Sequence, residues 1–313
     1  MNSNSLVTIL LCSHIAKREN DKPLTQSGWS KLFNVLIDNN LSPSDLLEFS
    51  ESDFKSIGIV DEQYERFSSL MKRASAVPFE IEKLENMGIG ILTRSDKAYP
   101  PLLKQKLKNL CPPIFYYSGN LNLLNNKYIG FVGSRSIDKS DEDFTVSLTE
   151  RLINNNYSIV SGGAKGIDSI ASETALNSGA YAIEFLSDSL LRKIKSSACV
   201  NHIRSGNLLV LSAVNPDAGF NVGNAMSRNK YIYAQSDATI VVKSDYKKGG
   251  TWEGALENLK NAWCKEYCWD NSKHNGNIAL IQHGAIPIKE DWDCDITKSK
   301  KPDIEKGEQI KFF

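Results

Sequence analysis

Short runs of β-branched and other apolar residues recur through the second half of the chain, and they constrain the fold more than any other feature. The runs read YIGFV, YSIV, YAIEFL, LLVL, ATIVV and NIALI, and they begin at residues 128, 157, 181, 208, 238 and 277. Their spacing leaves room for one crossover helix between successive runs. Near-continuous apolar strands that alternate with helices are typical of a parallel sheet covered on both faces. The sequence therefore predicts an α/β fold with a Rossmann-like, doubly wound and mainly parallel sheet.

The first 80 residues show helical periodicity and no strand pattern. Apolar residues from Trp29 to Ile37 follow the spacing of an amphipathic helix. We expect a small all-helical module, of sterile-alpha-motif or helix-hairpin-helix size, over residues 1–80 and the Rossmann-like core over 81–288. Residues 289–313 are polar and rich in lysine. We interpret them as a loosely held tail that is too short to form a winged helix.

Charge is balanced over the whole chain but not along it. The sequence has 37 Lys/Arg and 37 Asp/Glu, yet residues 1–80 carry eight against eleven and residues 160–250 carry ten against seven. A polyanionic partner is therefore expected to meet the middle of the chain. The N-terminal run LVTILLCSHIA is too short to span a bilayer, and no Lys or Arg precedes it. We expect a cytoplasmic protein without a membrane partner.

Neither a metal nor a cofactor is predicted. The six cysteines are scattered, and Cys264 and Cys268, four residues apart, are interpreted as buried thiols on one helix face and not as zinc ligands. The sequence also lacks both the G-x-G-x-x-G dinucleotide fingerprint and the G-x-x-x-x-G-K-[ST] phosphate loop.

Three of the predicted strand-to-helix turns combine glycines with cations, namely GSRS from residue 133, SGGAKGID from 161 and KSDYKKGGTWEGA from 243. In an open α/β sheet, ligands bind beyond the carboxyl ends of the strands. Glycine lets the backbone approach a ligand, and free amides at a helix start beside a cation bind anions. The turns together predict an anion site. Asp168, in the first turn of a helix, would offset the helix dipole, so it could be a structural cap and not a ligand contact.

Longer motifs occur in a fixed order between about residues 80 and 260. They read YPPLLKQKLKNLCPPIFYYSGNLNLLNNKYIGFVGSR, IVSGGAKGIDSIASETAL and SRNKYIYAQSDATIVV. In this order the chain resembles the DNA-processing protein A (DprA/Smf) family. The resemblance implies a Rossmann-like domain that binds single-stranded DNA and catalyses nothing. It also implies a protein that loads a RecA-type recombinase, often as a homodimer, in DNA uptake or in a defence-linked variant of that task.

The resemblance and the three turns together define a set of candidate residues for binding single-stranded DNA or phosphate. Arg135 is the expected main phosphate contact, and Phe220 is a candidate platform on which a base stacks. The whole set is Gly133, Ser134, Arg135, Ser161, Gly162, Gly163, Lys165, Gly166, Arg192, Lys193, Lys195, Phe220, Arg228, Asn229, Lys230, Gly249, Gly250 and Thr251.

Several of these residues have a structural alternative. Arg135 could be a satisfied surface arginine, Phe220 could be a core side chain, and Arg228 could bond carbonyls of the sheet itself. The basic cluster that begins at Arg192 could be the solvated face of a helix.

The chain also departs from the family pattern. Ser172 stands where the family has a histidine, and KKGGTWEGA replaces the usual S-G-S/T-L-x-T-A. That loop is similar to the loop of the cytokinin-activating LOG proteins, which cleave nucleoside monophosphates with a glutamate. Glu253 would take that role, but it stands two residues after Thr251 and not three. A nucleotide-binding sensor or an N-glycosidic hydrolase is therefore the alternative function.

Overall fold

The computed structural model of the protein describes residues 1–18 and 22–297, which form two units. The first unit comprises residues 1–121 and 186–221, and the second comprises 122–185 and 222–297. The α-helices of these residues are α1 (Ser3–Cys12), α2 (Gln26–Asp38), α3 (Glu51–Ser56), α4 (Asp61–Met71), α5 (Val77–Asn86), α6 (Pro101–Leu107), α7 (Lys139–Asn154), α8 (Ile167–Asn177), α9 (Leu190–Lys193), α10 (Ser197–Arg204), α11 (Val222–Gln235), α12 (Gly249–Asn261) and α13 (Asn275–Gln282). The strands are β1 (Gly90–Thr93), β2 (Ile114–Gly119), β3 (Tyr128–Gly133), β4 (Ser158–Ser161), β5 (Ala182–Leu186), β6 (Leu208–Ser212), β7 (Ala238–Lys243), β8 (Lys265–Trp269) and β9 (Ile286–Ile288). Short 3-10 helices cover Pro43–Leu47, Lys108–Leu110 and Leu121–Asn125.

The first unit begins with the predicted all-helical region. Trp29, Leu32 and Leu36 form the buried stripe of α2, and they pack in one apolar cluster with residues of α1, α3 and α4. Arg73 is buried and donates hydrogen bonds to the carbonyls of Ser13, Ile15 and Leu10, which holds the chain that leaves α1. The predicted boundary at residue 80 falls inside α5. The division of the chain into independently folding parts stays a prediction.

Three strands of the first unit are antiparallel, because β2 pairs with β1 on one side and with β6 on the other. The run LLVL forms a strand as predicted, β6, and its pairing with β2 is one of the antiparallel pairings in a mainly parallel sheet. A short apolar run marks a buried strand but carries no information about the direction of its neighbours.

The second unit contains the parallel, Rossmann-like sheet. Its strand order is β5-β4-β3-β7-β8-β9, and every neighbouring pair is parallel. When the strands of this unit are numbered along the chain, their order in the sheet is the 3-2-1-4-5-6 order of a doubly wound fold. Successive strands are added on one side of β3 up to β5 and on its other side from β7 onward. The predicted α/β fold class is confirmed.

Alternation along β3 explains how helices cover both faces of this sheet. Ile129 and Phe131 lie in one buried cluster with residues of α7 and α8. Gly130 faces α11, and a Cβ at this position would lie 2.5 Å from Ser236 Oγ and 3.3 Å from Ile232 Cγ2. The glycine therefore lets α11 approach the strand closely.

Two predictions near the end of the sheet are wrong. The run NIALI lies within α13, and the fifth and sixth strands of the parallel sheet are β8 and β9. Apolar runs of four or five residues fit a buried helix as well as a strand. Cys268 lies on β8 while Cys264 precedes that strand, so the two thiols do not share a helix face. Burial raises the pKa of Cys268 well above its usual value.

The described part of the predicted tail is not loosely held. Residues 298–313 lie outside the described residues, but Trp292, Cys294 and Ile296 pack against the buried core of the second unit. The ring of Trp292 lies 4.7 Å from that of Tyr267, and the Ile296 carbonyl accepts a hydrogen bond of 2.6 Å from Lys265 Nζ. Burial of these three apolar side chains, which stand at alternate positions, holds the segment against the core although most of its other residues are polar.

No helix within residues 1–18 and 22–297 is both long and apolar enough to cross a membrane.

Candidate anion-binding site

Three loops lie side by side at the carboxyl ends of neighbouring strands of the second unit, and each contains glycine or is bordered by one. They are residues 134–138 after β3, 162–166 after β4 and 244–248 after β7, and we name them the carboxyl-edge loops. Because β3 pairs with both β4 and β7, the loop after β3 lies between the other two. The Ser134 amide donates a hydrogen bond of 2.9 Å to the Lys243 carbonyl, which joins the first loop to the end of β7.

Glycine is required where two of these loops meet. Gly166 has a φ of +88°, and a Cβ there would lie 2.5 Å from the Ser134 carbonyl oxygen and 2.9 Å from the Arg135 Cα. A Cβ on Gly133 would lie 2.4 Å from Ile167 Cγ1, at the start of α8. Any side chain at either position would separate the loops after β3 and β4. The predicted convergence of these two turns is therefore present.

Cations stand exposed on all three carboxyl-edge loops. Arg135 is exposed on the first loop, Lys165 on the second, and Lys247 and Lys248 on the third. Asp138 and Asp245 are also exposed on these loops, so the four cations leave an excess of two positive charges at this edge of the sheet, in a chain of zero net charge.

A buried ion pair supports the second loop from behind. Arg228, on α11, is only 6% exposed, and its Nη1 lies 3.6 Å from Asp168 Oδ2. Asp168 Oδ2 also accepts a hydrogen bond of 3.0 Å from the Gly162 amide. A Cβ on Gly162 would lie 0.9 Å from Arg228 Nη1, so the guanidinium rests directly on the glycine backbone. The structural interpretation of Asp168 agrees with this geometry.

Arg228 therefore has a different role from the one first expected. Its Nη1 donates a hydrogen bond of 3.3 Å to the Phe185 carbonyl of β5, which is the structural alternative raised for this residue. A guanidinium held inside the unit by Asp168 and a strand carbonyl positions the loop and does not present itself to a ligand.

Burial is the main influence on the Asp168 carboxyl and raises its pKa to about 6. The Arg228 guanidinium and the amides of Gly162 and Ala164 act in the opposite direction, and the Glu184 carboxylate adds to the rise. The carboxyl is thus ionised near neutral pH and takes up a proton in mildly acidic solution.

Asn229 and Lys230 connect two helices of the second unit. Asn229 Nδ2 donates a hydrogen bond of 3.0 Å to the Gly250 carbonyl at the start of α12, and Lys230 Nζ lies 3.5 Å from Glu257 Oε1. Gly249, Gly250 and Thr251 form the first turn of α12, where Gly249 has a φ of +84°. These contacts hold the third carboxyl-edge loop at its far end.

The other candidates lie in the first unit. Arg192 and Lys193 are on α9, and Lys195 follows this helix. Phe220 is 56% exposed, so the alternative that it is a core side chain is wrong. Their contact with a ligand stays a prediction.

Ser172, the residue that replaces the family's histidine, is buried on α8. Its hydroxyl forms a hydrogen bond of 2.9 Å with the Ser161 hydroxyl. Ser161 Oγ also accepts a hydrogen bond of 3.1 Å from the Gly163 amide. The substitution therefore contributes to holding the second carboxyl-edge loop.

A buried charge network that the sequence analysis missed holds the first carboxyl-edge loop. Asp141 is fully buried on α7, where it forms a reciprocal capping box with Asp138. Its carboxylate lies 2.7 Å from Lys243 Nζ and 2.8 Å from His274 Nε2. Burial acts to raise the pKa of Asp141, but hydrogen bonds from Lys243 and the Asp138 amide and the nearby His274 together lower it. The D-x-x-D spacing was the available signal for the capping box.

Across the described ranges, no group of three or more His, Cys, Asp or Glu side chains is arranged to hold a metal ion.

Comparison with known proteins identifies the family. The family model described as DNA recombination-mediator protein A matches residues 90–296. The chain belongs to this family. It is 25% identical over 268 residues to the DNA processing protein DprA of Bacillus subtilis, which covers 80% of this chain and 89% of that protein. It is 26% identical over 240 residues to the protein Smf of Escherichia coli, which covers 74% of this chain and 62% of that protein. The resemblance inferred from the motifs is confirmed.

Two solved structures of family members resemble this one. The X-ray structure of DprA from Streptococcus pneumoniae matches with a TM-score of 0.70 at 21% identity, over 92% of this chain and 95% of that chain, which supports the fold. DNA processing protein A from Helicobacter pylori matches with a TM-score of 0.52 at 27% identity, over 64% of this chain and 90% of that chain. The latter structure is described as giving insight into that protein's single-stranded DNA binding mode.

The contact between Gly162 and Arg228 is tested by Gly162→Ala. The new methyl group must displace the guanidinium, and Asp168 then loses its buried partner, so we expect the free energy of unfolding to fall by about 3 kcal/mol. Urea denaturation measures the change. Gly219→Ala is the control, because a Cβ at that position meets nothing within 4 Å. Equal stability of the two variants would show that Arg228 does not rest on Gly162.

The environment of Asp168 predicts a particular pH dependence. A carboxyl whose pKa is higher in the folded than in the unfolded protein binds its proton more tightly when folded, so its ionisation lowers stability as the pH rises. Relative to Asp168→Asn, the wild type should lose on the order of 2–3 kcal/mol of unfolding free energy between about pH 4 and pH 7. Urea denaturation at several pH values measures this difference. A difference that grows in favour of the wild type as the pH rises would contradict the assignment.

Proposed function

We propose that this chain is a non-catalytic protein that binds single-stranded DNA along the carboxyl-edge loops of β4, β3 and β7. The observation that carries the proposal is the convergence of three loops, each containing glycine or bordered by one, with exposed Arg135, Lys165, Lys247 and Lys248 at one edge of the sheet. Exposed arginine and lysine side chains are groups that bind a phosphate backbone.

The family relationship supports a nucleic acid as the anion. The matching family model describes recombination mediators, and the related protein from Helicobacter pylori is described as binding single-stranded DNA. A single strand exposes both its phosphates and its bases, so a protein that binds it needs cations together with aromatic surfaces.

The roles of the site residues follow from their placement. Arg135 is the main phosphate contact, Gly133 and Ser134 shape its loop, and the segment from Ser161 to Gly166, with Gly162, Gly163 and Lys165, forms the adjoining wall. Arg228 and Asp168 hold that wall from inside. Arg192, Lys193, Lys195 and Phe220, all in the first unit, are further candidate contacts for the strand.

Two finer parts of the proposal concern partners. We infer that the chain loads a RecA-type recombinase onto the bound strand and that it acts as a homodimer. Membership of a family of recombination mediators supports the first part. The second rests on the resemblance to that family.

The alternative hydrolase receives less support from the geometry. Glu253 is exposed on α12. A general acid or base near neutral pH usually depends on burial or on charged neighbours to adjust its pKa. Release of free base from a nucleoside monophosphate, lost in Glu253→Gln, would nevertheless identify an enzyme.

Arg135→Ala tests the proposed function. Losing a charge-assisted hydrogen bond to phosphate should weaken binding of an oligo-dT strand about 10- to 100-fold. It should also make the slope of log affinity against log salt concentration shallower by about 0.7. Fluorescence anisotropy across a range of salt concentrations measures both effects.

Lys127→Ala is the matched control, because Lys127 is also an exposed cation but precedes β3, at the amino end of the strand. This variant should bind oligo-dT like the wild type. Failure of the wild type to bind at low salt, or equal losses in the two variants, would contradict the proposal.

A further inference from the structure

The third carboxyl-edge loop carries an exposed tyrosine that is not among the proposed phosphate contacts. Tyr246 is 52% exposed, three residues beyond the end of β7. We propose that Tyr246 is the platform on which a base of the bound single strand stacks. This inference rests on the proposed function and adds base contact to a site otherwise built for phosphate.

The position of Tyr246 places it beside the phosphate contacts. The Lys243 carbonyl accepts a hydrogen bond of 2.9 Å from the Ser134 amide, one residue before Arg135. Three residues of extended chain span at most about 11 Å, so Tyr246 lies within reach of the same short stretch of strand as Arg135. A nucleotide with its phosphate at Arg135 has its own or a neighbouring base near the tyrosine.

The ring of Tyr246 is held in place from inside the second unit. Buried Trp252, on α12, meets it edge to face at a centroid distance of 5.3 Å and an interplanar angle of 79°. The loop is closed by a hydrogen bond of 3.2 Å from the Lys248 amide to the Asp245 carbonyl. A stacking surface that is already fixed loses little conformational freedom when a base binds to it.

Lys247 contributes a second observation that points to a ligand. Its Nζ lies 5.1 Å from the centroid of the Tyr246 ring, and its backbone has a φ of +54°. The left-handed conformation is unfavourable for a lysine relative to ordinary backbone. The lysine cation lies over one face of the exposed ring, and in the proposed complex the base stacks on the solvent-exposed surface of the ring while the ammonium group contacts a phosphate. A solvent-exposed tyrosine without a ligand needs neither a cation over its ring nor a left-handed residue beside it.

The test compares normal and abasic strands. Tyr246→Leu keeps most of the apolar volume but removes the aromatic face, so affinity for oligo-dT should fall about 5- to 100-fold. Affinity for an abasic oligomer of equal length, which has the same phosphates without bases, should stay unchanged. The salt dependence of oligo-dT binding should also stay that of the wild type, whereas Arg135→Ala alters it. Tyr246→Phe should restore oligo-dT binding.

Tyr181→Leu is the matched control. Tyr181 is 45% exposed but precedes β5, at the amino end of the strand, so its replacement should leave both affinities unchanged. Thermal unfolding of each variant confirms that it is folded.

The possible outcomes distinguish failure of the Tyr246 stacking platform from failure of the proposed single-stranded DNA binding. Wild-type protein that binds no oligonucleotide would overturn both. Wild-type binding that Tyr246→Leu leaves intact would overturn the stacking platform and leave the phosphate site standing. Equal weakening of oligo-dT and abasic binding by Tyr246→Leu would also overturn it, because the tyrosine would then act through phosphate or loop structure.

Discussion

The candidate site depends on close contact between backbone segments at the carboxyl end of a parallel sheet. Gly166 lies against Ser134 and Arg135, and Gly162 lies against the guanidinium of Arg228. Each contact leaves no room for a Cβ, so the loops after β3 and β4 can converge only because these residues are glycines. The same convergence brings together the exposed cations that would meet a polyanion.

Charges in the second unit fall into an inner and an outer set with different tasks. The inner pairs, Arg228 with Asp168 and Lys243 with Asp141, are largely buried and hold loop backbones in place. Removing one partner of such a pair leaves an uncompensated buried charge, so the pairs make loop geometry part of the stability of the fold. The outer cations, such as Arg135 and Lys165, are exposed. A chain with zero net charge can thereby present a positive edge.

Sequence reasoning located the site better than it assigned its residues. The near-continuous apolar strands around Gly133 and Ser161 indicate a parallel sheet, and the usual position of ligands in such sheets then points to the loops that the structure brings together. The sequence does not show whether an arginine is buried, however. The role of Arg228 became clear only from the structure, which shows its pairing with Asp168. Asp141 and Lys243 lie far apart in the chain, which hides their pairing. The exposed face of Tyr246 likewise depends on how its loop closes.

The boundaries of the fold show the same limit. The run NIALI was interpreted as a strand although it lies in α13, because a short apolar run satisfies the burial needs of either element. The sequence around Trp292 predicts a loose tail, because its three apolar residues are separated by charged neighbours and their packing partner, Tyr267, lies elsewhere in the chain.

Hydrogen–deuterium exchange of the full chain, with and without a saturating oligo-dT strand, tests the central claim most directly. If the strand lies along the carboxyl-edge loops, exchange should slow in peptides covering residues 133–138, 162–166 and 244–251. Peptides at the amino ends of the same strands, around residues 127, 157 and 237, should exchange at unchanged rates. Protection at the amino ends with none at the carboxyl-edge loops would contradict the account.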